Sequence, residues 1–452
     1  MTSPPSTTGT SQPGERSALG PLAPLIRSPA AGGAALGIAT IVALVWANVA
    51  PDAYTDFWST KIDLSLGSEY DLEVKLSTII KNAVMSVFFL VVGLEIKREL
   101  TVGELADRRI AILPFFAAAG GMLVPVGVFL AITAGTAGAA GWGIPMATDI
   151  AFALAALRLL GGRVPVQLIA LMLAIAVIDD IGAILVIAVA YSDALAIGWL
   201  AASLGALALV AVLLRLRVTA LTPHVTLFLI AWACMAQSGV SPTIAAVAFG
   251  LLMPATVIAA RHGRHHGDHG EGHGHDPRIE AMDAARAKVP ILHRMEHSLA
   301  PWSSFVVLPL FALAFAGIRI DADTVQAALE SRVTFGVALG LIVGKTVGVT
   351  LGALLALRLG IGRLPPRVNM VHVVGVGALA GIGFTVSLFV ATLAYSDPGL
   401  VDEARMGILA GSVIAAVVGL GALLMTARRD GGEVARTAGD VPEHEAGEAR
   451  SR

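Results

Sequence analysis

Ala174-Ile175-Ala176-Val177-Ile178-Asp179-Asp180-Ile181-Gly182-Ala183-Ile184-Leu185 sets two adjacent carboxylates in a run that is otherwise apolar from Leu168 to Ala190. The run is long enough to cross a bilayer as a helix. An ionised group at membrane depth costs roughly 2.5–3.5 kcal/mol even on gentle insertion scales, and two side by side also repel. Such a pair persists only where it faces a wet cavity and has a task. The stretch is therefore read as an ion site that the rest of the chain encloses and neutralises, and exposes to one side at a time.

The surrounding chain fits a membrane setting. Of its 452 residues, 56% are hydrophobic and 14% are charged, against about 25% charged in soluble domains. The formal net charge of −2 gives no global basic field for nucleic acid. The one cysteine, Cys234, excludes an intrachain disulfide or a thiolate metal site. The 49 glycines suit close helix packing and interrupted helices.

Residues 1–29 are rich in Ser, Thr, Pro and Gly and read as a disordered tail, and the charged segment 428–452 reads as another. Between them, 30–427 reads as one domain of twelve helices. The first span, 30–50, is too long for a signal-peptide core. The others are expected at 76–95, 110–133, 143–160, 165–191, 195–214, 222–237, 241–260, 302–318, 333–357, 368–395 and 404–427.

Basic residues fall in the even-numbered turns: Lys97, Arg98, Arg108, Arg109, Arg158, Arg163, Arg215, Arg217, the stretch 261–294, Arg358, Arg363, Arg367, Arg428 and Arg429. The odd-numbered turns carry only Lys61, Lys75, Arg319, Arg332 and Arg405, among several acids. By the positive-inside rule both termini are expected in the cytoplasm of a cell-membrane protein whose surroundings are lipid. The loop 261–290 contains His262, His265, His266, His269, His273 and His275. Residue type suggests metal binding or pH sensing, but the interleaved glycines fix no ligand geometry, so a flexible insertion is the preferred reading.

The ionisable groups deep in the expected spans are Asp149, Asp179, Asp180 and Lys345. Three acids against one base cannot all pair, and a leftover carboxylate must take up a proton or a cation. Asp179 and Asp180 point about 100° apart on one helix, so they can do different jobs. Adjacent carboxylates titrate as a coupled pair, and their oxygens suit small hard cations. Proton and cation then compete for the same oxygens. One of the two can line the aqueous path while the other turns toward a partner helix.

Two spans read as broken. Pro145 and its flanking glycines precede Thr148-Asp149, and Val374-Gly375-Val376-Gly377-Ala378-Leu379-Ala380-Gly381-Ile382-Gly383-Phe384-Thr385 is dense in glycine. Non-helical backbone at this depth is tolerated only inside protein or along a cavity. The breaks occupy the centres of spans three to five and ten to twelve, as an inverted repeat requires. Half-helix ends carry partial charges. Asp149 can offset the N-terminal ends, and Lys345 the C-terminal ends or one of the paired aspartates.

The segments Val91-Val92-Gly93-Leu94-Glu95-Ile96-Lys97-Arg98-Glu99-Leu100, Ala147-Thr148-Asp149-Ile150-Ala151-Phe152, Ile178-Asp179-Asp180-Ile181-Gly182-Ala183, Gly344-Lys345 and Gly381-Ile382-Gly383-Phe384-Thr385 together resemble the NhaA-type Na⁺/H⁺ antiporters of bacteria. The resemblance covers nearly the whole chain between the tails. That family is among the standard cases behind the inverted-repeat rule itself. It implies an all-α polytopic membrane protein with inverted repeats and two discontinuous helices crossing at the midplane. Asp179 and Asp180 would bind Na⁺ and protons. Thr148 and Asp149 would lie at the crossing, and Lys345 would be the neutralising base. The implied activity is electrogenic export of Na⁺ or Li⁺ against external protons, active at alkaline pH, for pH and sodium homeostasis. No enzymatic activity and no resident cofactor are implied, and a homodimer is. Glu95, Arg98, Glu99, Glu296 and His297 match the family's pH-response cluster. Two positions depart: Asn82 stands where the best-known relatives have aspartate, and Ser241 where they have histidine.

The alternatives fit less well. A proton-coupled carrier of another cation or small solute would also show buried acids and broken helices, but no extra Arg or aromatic group is available near the midplane to hold an organic ligand. An intramembrane aspartyl protease needs aspartates on two helices, one in a Gly-x-Gly-Asp turn, whereas Gly381-Ile382-Gly383 is followed by Phe384. A pore ring is poorly made from one lysine and an asymmetric aspartate set.

Overall fold

Long apolar sequence runs become long helices because the bilayer leaves backbone groups no partner outside the segment. The computed structural model describes residues 29–65, 71–192, 195–218, 220–255 and 291–439. Among these, eight helices are long and apolar enough to cross a membrane: Ala31–Val49, Leu76–Thr101, Arg108–Thr133, Val166–Ala190, Ile197–Arg215, Ile291–Phe315, Arg332–Arg358 and Pro398–Thr426. Two further helix pairs, Ala137–Met146 with Ile150–Leu159 and Met370–Leu379 with Phe384–Ala394, are bent by 46° and 49° at short breaks. These are the two interruptions expected from Pro145 and from the glycine-rich stretch. Ile38, Ile41, Leu185, Val189, Ile197 and Val417 are exposed. Large apolar side chains on the outside of helices suit a lipid environment rather than water.

Several elements differ from the sequence reading. The seventh expected span is the helix Leu221–Gln237, and the eighth is only Thr243–Leu252, ten residues. At 1.5 Å per residue that helix rises about 15 Å, half the hydrocarbon thickness. The ninth begins at Ile291 rather than 302, because the amphipathic segment carrying Glu296 and His297 continues the helix outward. The last helix runs on to Gly439. The chain is not purely helical: Lys61–Ser65 and Asp71–Lys75 form an antiparallel hairpin. Its register opposes Lys61 to Lys75 and Asp63 to Glu73, and Lys61 forms an ion pair with Glu73 diagonally across the strands. The histidine-rich loop 261–290 and the tail at 440–452 lie outside the described residues, as does the N-terminal tail up to residue 28.

Three long helices contain a π-helical turn, at Ile80–Val84, Ser303–Val307 and Gly340–Gly344. Such turns insert one residue per turn and concentrate at functional sites. The third ends immediately before Lys345. The helices Arg108–Thr133 and Arg332–Arg358 pack closely enough to exclude side chains between them. A Cβ on Gly344 would lie 2.6 Å from Cα of Pro125, and one on Gly121 would lie 2.8 Å from the Val349 side chain. Gly121 also leaves room for Lys345, whose Nζ would be 4.0 Å from such a Cβ. Glycine is needed here for close approach, not for backbone freedom.

Candidate functional site

The site forms where the two breaks meet the helix Val166–Ala190. At its centre Lys345 Nζ lies 2.5 Å from Asp179 Oδ2, with both side chains fully buried. The sequence left the partner of Lys345 open between the helix ends and the aspartates. The geometry puts it on Asp179. A buried ion pair stabilises little relative to apolar packing, but removing one partner strands a charge.

Thr148 links this pair to the second break. Its hydroxyl is 2.8 Å from Asp179 Oδ2 and 2.9 Å from the carbonyl oxygen of Ala380. A hydroxyl has one proton, so it donates to one of these acceptors at a time. The other oxygen of Asp179, Oδ1, is buried with no hydrogen-bond partner among the described residues.

Asp149 occupies the N-cap of Ile150–Leu159, and its Oδ1 accepts from Phe152 N at 3.1 Å. Its Oδ2 accepts from Thr385 N at 3.0 Å and Thr385 Oγ1 at 2.6 Å, in the first turn of Phe384–Ala394. One carboxylate thus caps two half-helices. Neither helix has another side-chain cap. The amide of Asp149 in turn donates to the carbonyl oxygen of Ile382 at 2.6 Å. Here the two non-helical stretches satisfy each other's backbone groups, as burial demands.

Asp180 has a different setting. Among the described residues no hydrogen bond reaches its carboxylate, and it retains 6% exposure where Asp179 has none. The charges close enough to act on it are the acids Asp179, Glu95 and Asp149 and one base, Lys345, which already faces Asp179. The local balance is therefore negative. The arrangement offers hard oxygen acceptors in Asp180, the free oxygen of Asp179 and the Thr148 hydroxyl. That donor set suits a small monovalent cation or a proton. Among the described residues no group of three or more His, Cys, Asp or Glu could chelate a metal in the manner of a resident cofactor.

The second expected cluster lies where the outer end of Leu76–Thr101 meets Ile291–Phe315. Arg98 pairs with Glu296 and, at 2.9 Å, with Glu99, and Glu95 is within electrostatic reach of all three. His297 is not drawn into this contact. It is exposed, and its ring stacks on His293 at a centroid distance of 6.5 Å. Of the two departing positions, Asn82 sits half-buried in the π-turn Ile80–Val84, and the hydroxyl of Ser241 is 2.8 Å from that of Thr243.

The sequence reading did not single out Thr385, Ser387, Tyr191 or Tyr395. Ser387 Oγ donates to Ile144 O at 2.7 Å. Tyr191 accepts from Gly143 N at 2.8 Å and donates to Ala140 O at 3.1 Å, and Tyr395 donates to Gly138 O at 2.6 Å. These groups anchor the 3₁₀ half of the first break. A hydroxyl residue in the first turn after a glycine-rich break was a usable signal for Thr385. The tyrosines gave none, since their partners are distant in sequence.

With the geometry in hand, comparison with known proteins is specific. Residues 23–423 match the family described as Na⁺/H⁺ antiporter 1. The chain is 41% identical over 414 residues to the Na⁺/H⁺ antiporter NhaA of Oleidesulfovibrio alaskensis, covering 85% of this chain and 89% of that one. It is 41% identical over 423 residues to the Na⁺/H⁺ antiporter NhaA of Syntrophobacter fumaroxidans, covering 89% of each. Against the Na⁺/H⁺ antiporter NhaA 3 of Frankia alni it is 39% identical over 417 residues, covering 90% of each.

Proposed function

The chain belongs to the Na⁺/H⁺ antiporter 1 family, and from that premise we propose that it exports Na⁺ or Li⁺ across the cell membrane in exchange for external protons. The observation that carries the reading is the buried charge imbalance. Among the described residues Asp180 has no hydrogen-bond or ion-pair partner, while the base Lys345 is held by Asp179. A carboxylate at that depth must be protonated or ligate a cation. Competition between the two at one set of oxygens is exchange.

In this mechanism Asp180 is the principal cation ligand, and Asp179 with Thr148 completes the site. Cation binding displaces the proton from Asp180, and as Asp179 turns to the cation its hold on Lys345 weakens and Lys345 releases a second proton, so two protons leave for each cation bound. Loading with protons restores the pair. The two broken helices cross at the midplane, within a twelve-helix fold of inverted repeats. Asp149 holds the crossing rigid while the surrounding bundle exposes the site alternately. The exchange moves net charge. The Arg98, Glu99, Glu95 and Glu296 cluster governs the response to cytoplasmic pH, with His297 at its margin. Both termini face the cytoplasm, in keeping with the distribution of Lys and Arg, and the protein works as a homodimer in lipid.

The test uses inverted membrane vesicles with an acid interior. Na⁺ or Li⁺ should collapse the proton gradient and K⁺ should not. Absence of any alkali-cation response between about pH 7 and 9, where an alkaline-activated site deprotonates, would overturn the proposal. Asp180→Asn should abolish exchange while thermal stability is kept, because the substitution removes a buried charge that no group among the described residues pairs. Wild-type exchange in that variant would show the cation site to be elsewhere.

A further inference from the structure

At the end of the bundle that carries Arg108, Arg109, Arg163, Arg358, Arg363 and Arg367 lies a cavity of about 600 Å³ that shares no lining residue with the ion site. It lies between the first turns of Arg108–Thr133, the first turns of Val166–Ala190 and the turn that follows Arg332–Arg358. Its rim carries Arg109, Arg363, Gln167 and Glu104, all exposed. Its inner wall is apolar, with Leu113, Pro114 and Ala170 leading to Leu171. Among the described residues neither Arg109 nor Arg363 has an ion-pair partner.

The polarity is ordered with depth. From Gln167 to Leu171, at 1.5 Å per residue, the wall descends about 6 Å, from polar rim to buried apolar floor. Two arginines against one glutamate leave the rim net positive. Their planar guanidinium forks match phosphate oxygens, and they come from different elements, so they grip from two sides. A free phosphate would use the rim alone and leave the apolar floor facing water. An anionic amphiphile matches both. Basic pockets between spans at the cytoplasmic face are suited to such head groups.

We propose that this cavity holds an anionic phospholipid, its phosphodiester between Arg109 and Arg363 and the start of one acyl chain against Leu113 and Leu171. The lipid bridges the third and fifth spans and the turn after the tenth. It therefore ties the helix bearing Asp179 and Asp180 to the helix bearing Lys345.

The experiment uses the full chain, purified and delipidated in neutral detergent, with bound lipid counted by native mass spectrometry and unfolding followed thermally. Phosphatidylglycerol should bind and raise the unfolding temperature, and phosphatidylcholine should do so much less. Arg109→Gln or Arg363→Gln should weaken phosphatidylglycerol binding about fivefold each, the worth of one basic residue near an anionic lipid surface. Arg→Lys at either position should restore most of it. Arg158→Gln, an exposed arginine at the same end but outside the cavity, should have no effect. Ala170→Phe, which fills the apolar wall and keeps both charges, should also displace the lipid. Equal binding of the two lipids, an equal loss in Arg158→Gln, or full stabilisation by inorganic phosphate alone would each overturn the proposal. Because both arginines are exposed, their variants should melt as the wild type does without lipid, so lost binding cannot be mistaken for misfolding.

Discussion

The double cap made by Asp149 yields the sharpest quantitative test. Asp149→Ala removes the acceptor of Phe152 N, Thr385 N and Thr385 Oγ1 in one step. Loss of an N-cap costs about 0.5–2 kcal/mol per helix. Two helices depend on this carboxylate, and the freed amide of Thr385 is buried and that of Phe152 partly so, which puts the costs toward the upper end. We expect a loss of roughly 3 kcal/mol. Asp149→Asn keeps a single acceptor oxygen and must turn its amide nitrogen toward one of the two helices, so it should lose about half as much. Thermal or denaturant unfolding of the purified protein measures both. A double-mutant cycle isolates the contact: Thr385→Val should be destabilising alone and nearly silent in the Asp149→Ala background, with a coupling of about 1 kcal/mol or more. The single cost of Asp149→Ala falling below about 1 kcal/mol, or additive effects in the cycle, would refute the double cap. The broken helices would then be held by their surroundings rather than by this side chain.

The remaining expectations follow from the same geometry. Lys345→Met strands Asp179 and should cost about 3–5 kcal/mol, most of it recovered in Lys345→Met/Asp179→Asn; equal melting of the single and double variants would show that the pair is not coupled. Gly344→Ala forces a methyl against the backbone of Pro125 and should destabilise by about 1–3 kcal/mol through overpacking, as read in the unfolding midpoint. Asp321 caps the short helix Ala322–Glu330, and hydrogen bonds from Thr324, the backbone one foremost, hold its carboxyl below the usual range. A folded-state pKa lowered this way contributes stability above the unfolded value and loses it as pH falls through the folded one. The protection of that helix's amides, exchange normalised to the intrinsic rate at each pH, should therefore fall on acidification, and Asp321→Ala should remove this pH dependence without affecting ion exchange.

How far the sequence spoke for the site depended on the range of each interaction. Asp179, Asp180, Asp149 and Lys345 were visible because charge in an apolar run is an energetic anomaly that needs no partner to be noticed. Pro145 and the glycines around Gly381 announced the breaks because they act on their own backbone. The ten-residue helix Thr243–Leu252 was over-read because hydropathy continues through residues that the helix does not. The π-turns went unseen, since a five-residue hydrogen-bond shift leaves no compositional mark in an apolar helix. Partner choice was also hidden. Nothing local to Lys345 distinguishes Asp179 from Asp180. The choice is made by packing: Gly121 and the approach of Gly344 to Pro125 bring the lysine stem down beside Asp179, and Thr148 reaches the same oxygen from the first break. That Asp180 is unpaired among the described residues is then a consequence of where three other elements meet. A charge count alone leaves two of Asp149, Asp179 and Asp180 without a base, but only the fold says that Asp149 is met by hydrogen bonds and that Asp180, among the described residues, is met by none.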